Sequence, residues 1–259
     1  MDLKYIIFEK RDGIGWVQFN RPEKLNALNP DVLRDLEKAV ATCEEDDSIR
    51  VVVLHGNEKA FVAGADIENM AKGDIKFAYE LTDLTMRVQE RLADLPKPTI
   101  ASISGFALGG GCEIALCCDF RIAADNAVLG QPEITLGIIP GGGGTQRLPR
   151  LVGLGPATDL IFTGEMIKAD RAERIGLVNK MVPLNQLETE VQALAFKLMK
   201  QPILALRAAK TTIRKGLNTS LKEGLQLEQD QFCMLFCTED QKEGMTAFIE
   251  KREPIFKGR

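Results

Sequence analysis

Histidine is nearly missing from this chain: His55 is the only one, and the six cysteines at 43, 112, 117, 118, 233 and 237 form no C-x-x-C pair. Zinc cages need clustered Cys and His, and the common Ser/His and Cys/His arrangements need a histidine beside the nucleophile. No metal site and none of those triads is therefore indicated, and reduced thiols in the cytoplasm are the simplest expectation. Excess positive charge is also missing. With 33 Lys and Arg against 37 Asp and Glu, the formal net charge is -4, which supplies no global field for holding nucleic acid or an anionic membrane. Long apolar runs are absent too. The least charged stretch, Thr99 to Cys112, is broken by Gly105 and Gly109-Gly110-Gly111 and closed by Glu113, well short of the roughly 20 apolar residues of a membrane helix. The opening Met1-Asp2-Leu3-Lys4 runs through Tyr5–Phe8 into Glu9-Lys10-Arg11, leaving no apolar core for a secretion signal.

What is present is an ordinary globular composition, 45% hydrophobic and 27% charged, over 259 residues. That length is near the limit for one hydrophobic core, so one domain with a smaller appendage is expected. Tyr5 to Glu9 and Ile14 to Phe19 read as a hairpin turned by Asp12-Gly13. Asn29 caps and Pro30 opens a helix carrying Leu33, Leu36, Val40 and Cys43 on one face. Ile49 to His55 follows as a buried strand, then a loop through Asp66, a helix with Phe77, Leu81, Leu84, Val88 and Leu92, and the strand Thr99 to Ser104. A further short helix and the strand Phe120 to Ala124 continue the alternation, which argues for an α/β body with largely parallel sheet. Beyond Pro183 only helical patterns remain. They include one on Leu187, Val191, Leu194 and Leu198, one after Pro202, one over Thr219 to about Phe236, and one opened by the capping-box pattern Thr238-Glu239-Asp240-Gln241. The division expected is an α/β core over 1–195 and a helical region over 196–259.

The densest chemical signal is Gly105 to Glu113, a glycine cluster after a strand and before an apolar helix. Glycines let a ligand approach the backbone, and the helix N-terminus offers free N–H groups. A tight packing turn would use the same residues. The GxxxxGK[ST] phosphate pattern is absent and Glu113 places negative charge in the mouth, so an oxyanion hole fits better than a phosphate loop. Phe61 to Ile67 also follows a strand with a small-residue turn, so a second N–H could converge on the same point. Glu113 and Glu133 each sit in apolar surroundings, which is costly for a carboxylate unless it is paired or functional. Helix capping and an exposed loop are the plain alternatives for the two. The run Gly137 to Arg147 lacks the preceding strand and partner acid of a dinucleotide fingerprint, so it reads as a turn entering a helix. His55 reads as a strand-end residue.

The segments Asn20 to Leu28, Ala60 to Ile67, Gly105 to Glu113, Gly130 to Glu133, Thr145 to Leu148 and Glu243 to Phe248 stand in an order that resembles the crotonase (enoyl-CoA hydratase/isomerase) superfamily across nearly the whole chain. That resemblance implies a spiral of ββα units with a C-terminal helical oligomerisation region, in a homotrimer or a hexamer of two trimers. It implies a hydro-lyase that adds water across the α,β double bond of an enoyl-CoA, as in fatty-acid β-oxidation. Coenzyme A would be part of the substrate, with no cofactor, metal, nucleic acid or membrane involved. By the same resemblance Glu113 and Glu133 are the acid/base pair and the Ala65 and Gly110 amides hold the thioester oxygen. Lys24, Leu25, Ala63, Asp66, Ile67, Phe248 and Lys251 contact the acyl-CoA, the last two often from a neighbouring subunit. Glu68 departs from the pattern, standing where many hydratases carry lysine. An enoyl-CoA isomerase or another enolate-forming relative is the alternative among enzymes, and an RNA-binding relative the alternative outside them.

Overall fold

The computed structural model describes residues 3–259. Strands β1 (Ile6–Arg11) and β2 (Ile14–Phe19) pair antiparallel with Arg11 opposite Ile14, so Asp12 and Gly13 alone make the turn. Both have positive φ, 54° and 76°, the requirement of a hairpin turn that matches strand twist. In α1 (Pro30–Glu45) the Asn29 side chain accepts from Val32 N at 2.8 Å, and Leu33, Leu36, Val40 and Cys43 are all buried. Strand β3 (Val51–His55) begins two residues later than the sequence pattern suggests, because Ile49 N donates to Asp46 O in the turn after α1.

The chain then runs through β4 (Ala60–Val62), α2 (Ile67–Met70), α3 (Ile75–Ala93), β5 (Thr99–Ile103), β6 (Phe106–Leu108) and α4 (Gly110–Cys117). It continues with β7 (Phe120–Ala124), β8 (Val128–Gly130), α5 (Gly144–Val152), α6 (Leu154–Thr163), β9 (Met166–Lys168), α7 (Ala169–Arg174) and β10 (Lys180–Val182). Six strands form one sheet in the order β1-β2-β3-β5-β7-β10, parallel after the first hairpin. The other four form a second sheet, β4-β6-β8-β9, parallel except for β9. The loop expected through residue 66 and the glycine turns after Ser104 therefore begin with strands. At three residues each, these strands are too short to show alternation. Three times over, the chain lays a strand in the large sheet, then one in the small sheet, then a helix. This is the expected ββα spiral.

Helices α1 and α3 pack in the main core, with Leu36, Val40, Val88 and Leu92 fully buried. On the other face of the large sheet, α8 (Leu187–Met199) sets Leu187, Val191 and Ala195 on Trp16, Val53, Ile100 and Ile122. Each fully buried aliphatic side chain there is worth about 1.5–3 kcal/mol. The 195/196 division thus falls inside a helix that packs on the sheet, and the tail comprises α9 (Ile203–Gly216), α10 (Leu221–Leu235) and α11 (Glu239–Glu250). Lys210 and Arg214 of α9 fasten the tail to Asp119 at 2.8 and 3.1 Å. The complete capping box lies at Ser220 and Glu223, not at Thr238. Thr238 accepts from Gln241 N, but the Gln241 amide turns to Met245 Sδ instead of reaching back. Among the described residues no helix is long and apolar enough to cross a membrane.

Candidate active site

The register of the small sheet assembles the site. Val62 lies beside Ala107 and Leu108 beside Gly130, so the turns leaving β4, β6 and β8 emerge at the same end. Residue 65 sits in the first turn, where Leu28 N donates to Gly64 O and Asp66 N donates to Leu28 O, both at 2.8 Å. This parallel bridge engages the peptides on either side of Ala65 and leaves its own N–H facing away. Gly110 opens α4, where first-turn amides lack helical acceptors. Among the described residues neither the Ala65 nor the Gly110 N–H has a protein acceptor. Two glycines hold the turns together. Gly109 has φ 50°, and a Cβ on Gly111 would stand 2.0 Å from Val62 O, so α4 rests directly on β4.

Glu113 lies in the first turn of α4 and is 2% exposed. Its Oε1 accepts from Gly142 N at 2.8 Å and Gly144 N at 2.7 Å, so the carboxylate occupies the N-terminus of α5, a favourable place for an anion. Burial pushes its pKa up, while the Gly144 and Gly142 amides and the Arg147 charge oppose the rise. The glycine run is a turn entering a helix, as expected, and the structure adds that its amides hold Glu113.

Glu133 sits in a short 3-10 turn, Pro132–Leu136. Burial pushes its carboxyl up to about 7, with the Glu113 charge adding to the rise and a bond to its own N–H opposing it. A Cβ on Gly109 would stand 2.7 Å from Glu133 Oε1, so this carboxyl lies against the turn that presents Gly110. With its amide nitrogen turned toward the carboxylate, the fully buried Gln131 donates to both Glu133 oxygens at 3.2 Å. Buried Cys112 and Cys117 are pushed up to about 12 and about 11, so both thiols stay neutral. His55 is a strand-end residue packed edge-on to Trp16 at 5.6 Å. It lines a cavity of about 660 Å³ on the α8 side of the large sheet, whose walls include neither glutamate.

The structure also shows what the sequence reading left out. Leu25 and Asn26 both have positive φ, 49° and 61°. Buried Asn26 fastens their loop by donating to Ala60 O and Phe61 O at 2.9 and 3.0 Å. Leu25 O accepts from Ala63 N at 3.0 Å, and Arg21 pairs with Asp66 at 2.8 Å, so Leu25, Ala63 and Asp66 are physically joined. Asp66 also caps α2, and Ile67 beside it is exposed. Lys24 Nζ pairs with Glu68 Oε2 at 2.9 Å across the same loop. A polar Asn between Leu25 and Ala27 is the one sequence signal that could have marked this anchor. Among the described residues no hydrogen bond or ion pair ties Phe248 or Lys251 to these turns. Phe248 is 85% exposed, and the hydrogen bonds of α11 run to the chain's own C-terminal residues, as from Glu239 N and Asp240 N to Arg259 O.

A family model described as enoyl-CoA hydratase/isomerase matches residues 9–259. The chain is 46% identical over 257 residues to a crotonyl-CoA hydratase of Syntrophomonas wolfei, covering 99% of each protein. It is 47% identical over 254 residues to a short-chain-enoyl-CoA hydratase of Clostridium acetobutylicum, covering 98% of this chain and 97% of that one. Among solved structures, an enoyl-CoA hydratase from Bacillus anthracis superposes with a TM-score of 0.95 at 41% identity, over 99% of this chain and 100% of that one.

Proposed function

Since the chain belongs to the enoyl-CoA hydratase/isomerase family and is an enoyl-CoA hydratase, we propose that Glu113 and Glu133 share one proton and divide the reaction between them. The observation that carries this reading is the inequality of their surroundings. Burial raises both carboxyls, but Glu113 accepts two backbone N–H groups at a helix N-terminus and faces the Arg147 charge, which oppose its rise, whereas Glu133, opposed by its own N–H and raised further by the Glu113 charge, is pushed up to about 7. Glu113 is then the base that takes a proton from water as the oxygen bonds to the β carbon. Glu133 is the acid that delivers its proton to the α carbon. Between these events the thioester oxygen carries the negative charge, held by the Ala65 and Gly110 amides, each donor worth about 3 kcal/mol. Carboxylates and amides supply the whole reaction, with no metal or cofactor. Initial rates with crotonyl-CoA as substrate, in buffer containing a chelator, test it.

The pair fixes the pH dependence. As pH rises through about 7 Glu133 loses the proton it must donate, so kcat/KM for hydration should fall about tenfold per pH unit above that point. That apparent value belongs to the coupled pair. A rate that stays level to about pH 9 contradicts Glu133 as the acid.

Lys24 and Leu25 line the approach of the coenzyme, with Phe248 and Lys251 reaching it from a neighbouring copy. A homotrimer, or a hexamer of two trimers, in the cytoplasm would cover the apolar side chains that the tail leaves open, among them Leu217, Leu221, Phe232, Phe248 and Ile249. Because Glu68 holds the Lys24 ammonium, Glu68→Gln should release it toward substrate phosphate and lower KM by about two- to fivefold with kcat unchanged. An unaltered KM at low ionic strength assigns Lys24 no part in coenzyme binding.

A further inference from the structure

Behind Glu113, away from the Gly110 turn, lies a cation with no carboxylate to pair with. Arg147 of α5 is partly buried, and among the described residues no carboxylate oxygen lies within 4.0 Å of it. Its Nη1 donates instead to Gly142 O at 2.8 Å and to Gln89 Oε1 at 3.0 Å. Gly142 therefore takes a charged donor on its carbonyl oxygen while its N–H, in the preceding peptide group, donates to Glu113 Oε1 at 2.8 Å, so Arg147 holds the residue that holds Glu113. Gln89 comes from α3 and is fully buried, and its Nε2 has no partner. A Cβ on Gly142 would stand 2.7 Å from that nitrogen and 2.5 Å from Glu113 Oε2, so both groups close on the same glycine. Leaving an amide nitrogen unsatisfied in a core is costly, and here the same side chain presents its oxygen to Arg147.

We propose that Arg147, clamped by Gln89, is a positioning residue for hydration, which by its charge favours the carboxylate form of Glu113 and by holding the Gly142 backbone keeps that carboxylate directed at the substrate water. This rests on the acid/base reading of Glu113 given above. Among the described residues that face Glu113, Arg147 is the only cation. From its own helix come the neutral thiols of Cys112 and Cys117, and from the 3-10 turn comes Glu133, a like charge when ionised. From α3 come Gln89 and Thr85, both uncharged, and from the Asn26 loop comes Leu28. A charge that opposes the effect of burial on Glu113 fits the same arrangement.

The test is the acid side of the kcat/KM profile for crotonyl-CoA hydration in the parent, Arg147→Gln, Arg147→Lys and Gln89→Met. Removing a cation disfavours the carboxylate, so in Arg147→Gln the acid limb should move to higher pH by about one unit, lowering the rate about tenfold below it. Gln89→Met, which removes the clamp and keeps the charge, should move it less in the same direction, and Arg147→Lys should return it most of the way. A merely structural role would lower kcat equally at every pH. If Arg147→Gln fails to fold, the Gln89→Met and Arg147→Lys profiles decide. An active parent whose acid limb is unmoved in every variant that folds overturns this proposal alone. A parent that hydrates no enoyl-CoA overturns the functional reading and this proposal with it.

Discussion

Glu133→Gln is expected to lower hydration by roughly 10²–10⁴-fold while leaving acyl-CoA affinity nearly unchanged. Glutamine keeps the size of the side chain and its place against Gly109, where a Cβ would stand 2.7 Å from Oε1, but it has no proton to give the α carbon. Glu113→Gln should cost at least about 10²-fold, since its carbonyl oxygen can still accept from Gly142 and Gly144 but cannot take a proton from water. The two variants should part company on a second reaction. Double-bond migration needs one carboxylate to remove and return a proton, so any such side activity should survive Glu113→Gln and vanish in Glu133→Gln. Hydration at near the parent rate by Glu113→Gln, for every substrate the parent accepts, would reduce Glu113 to a cap on α5 and sink the two-carboxylate mechanism.

The second large effect is expected from a methyl group. In Gly111→Ala the new Cβ would meet Val62 O at 2.0 Å and the Val62 Cβ at 2.7 Å, and the first of these is backbone that no rotamer change can move. Helix α4 must then lift off β4, and with it Gly110 must move relative to Ala65. Losing the alignment of one oxyanion donor costs about 10²–10³-fold in kcat, and the overpacked contact costs about 1–3 kcal/mol of stability. Rates and denaturant unfolding on the same preparation measure both. Gly155→Ala is the control, because its Cβ would meet nothing within 4 Å. Parent-like activity in Gly111→Ala would show that the spacing of β4 and α4 does not set the reaction.

Most of the large sheet and its helices were legible in the sequence because each carries its own local signal. Asn29-Pro30 marks the start of α1, Asp12-Gly13 marks the hairpin turn, and four apolar residues mark the buried face of α1. The small sheet was not, since three-residue strands carry no period and are held by register with strands far away in sequence. The glycine turns and the two glutamates stood out because small residues and apolar-flanked acids are locally conspicuous. The residues that hold them did not. Asn26 reaches residues 34 and 35 positions away, and Arg147 reaches Gln89 across 58 positions. No single-sequence pattern encodes a partner at such distances. The tail shows the same limit at smaller scale. Thr238 and Gln241 had the spacing of a capping box, but the nearby Met245 took the Gln241 amide.

The alternation of strands between the two sheets also governs how the chain must fold. Among the strand pairs of the described residues only β1 with β2 is a short-range hairpin. Ala60 waits for Phe106, Phe106 for Val128, and Ile122 for Lys180, so each parallel pairing closes a long loop before it gains any contact. The chain lays the two sheets down in turn, so the strands of each are separated in sequence by strands of the other. Loop-closure entropy is therefore met repeatedly and early, which makes folding slow compared with a helical bundle of similar stability. A chain stopped before β10 leaves β7 as an open parallel edge, the kind of surface on which unfinished chains pair with one another.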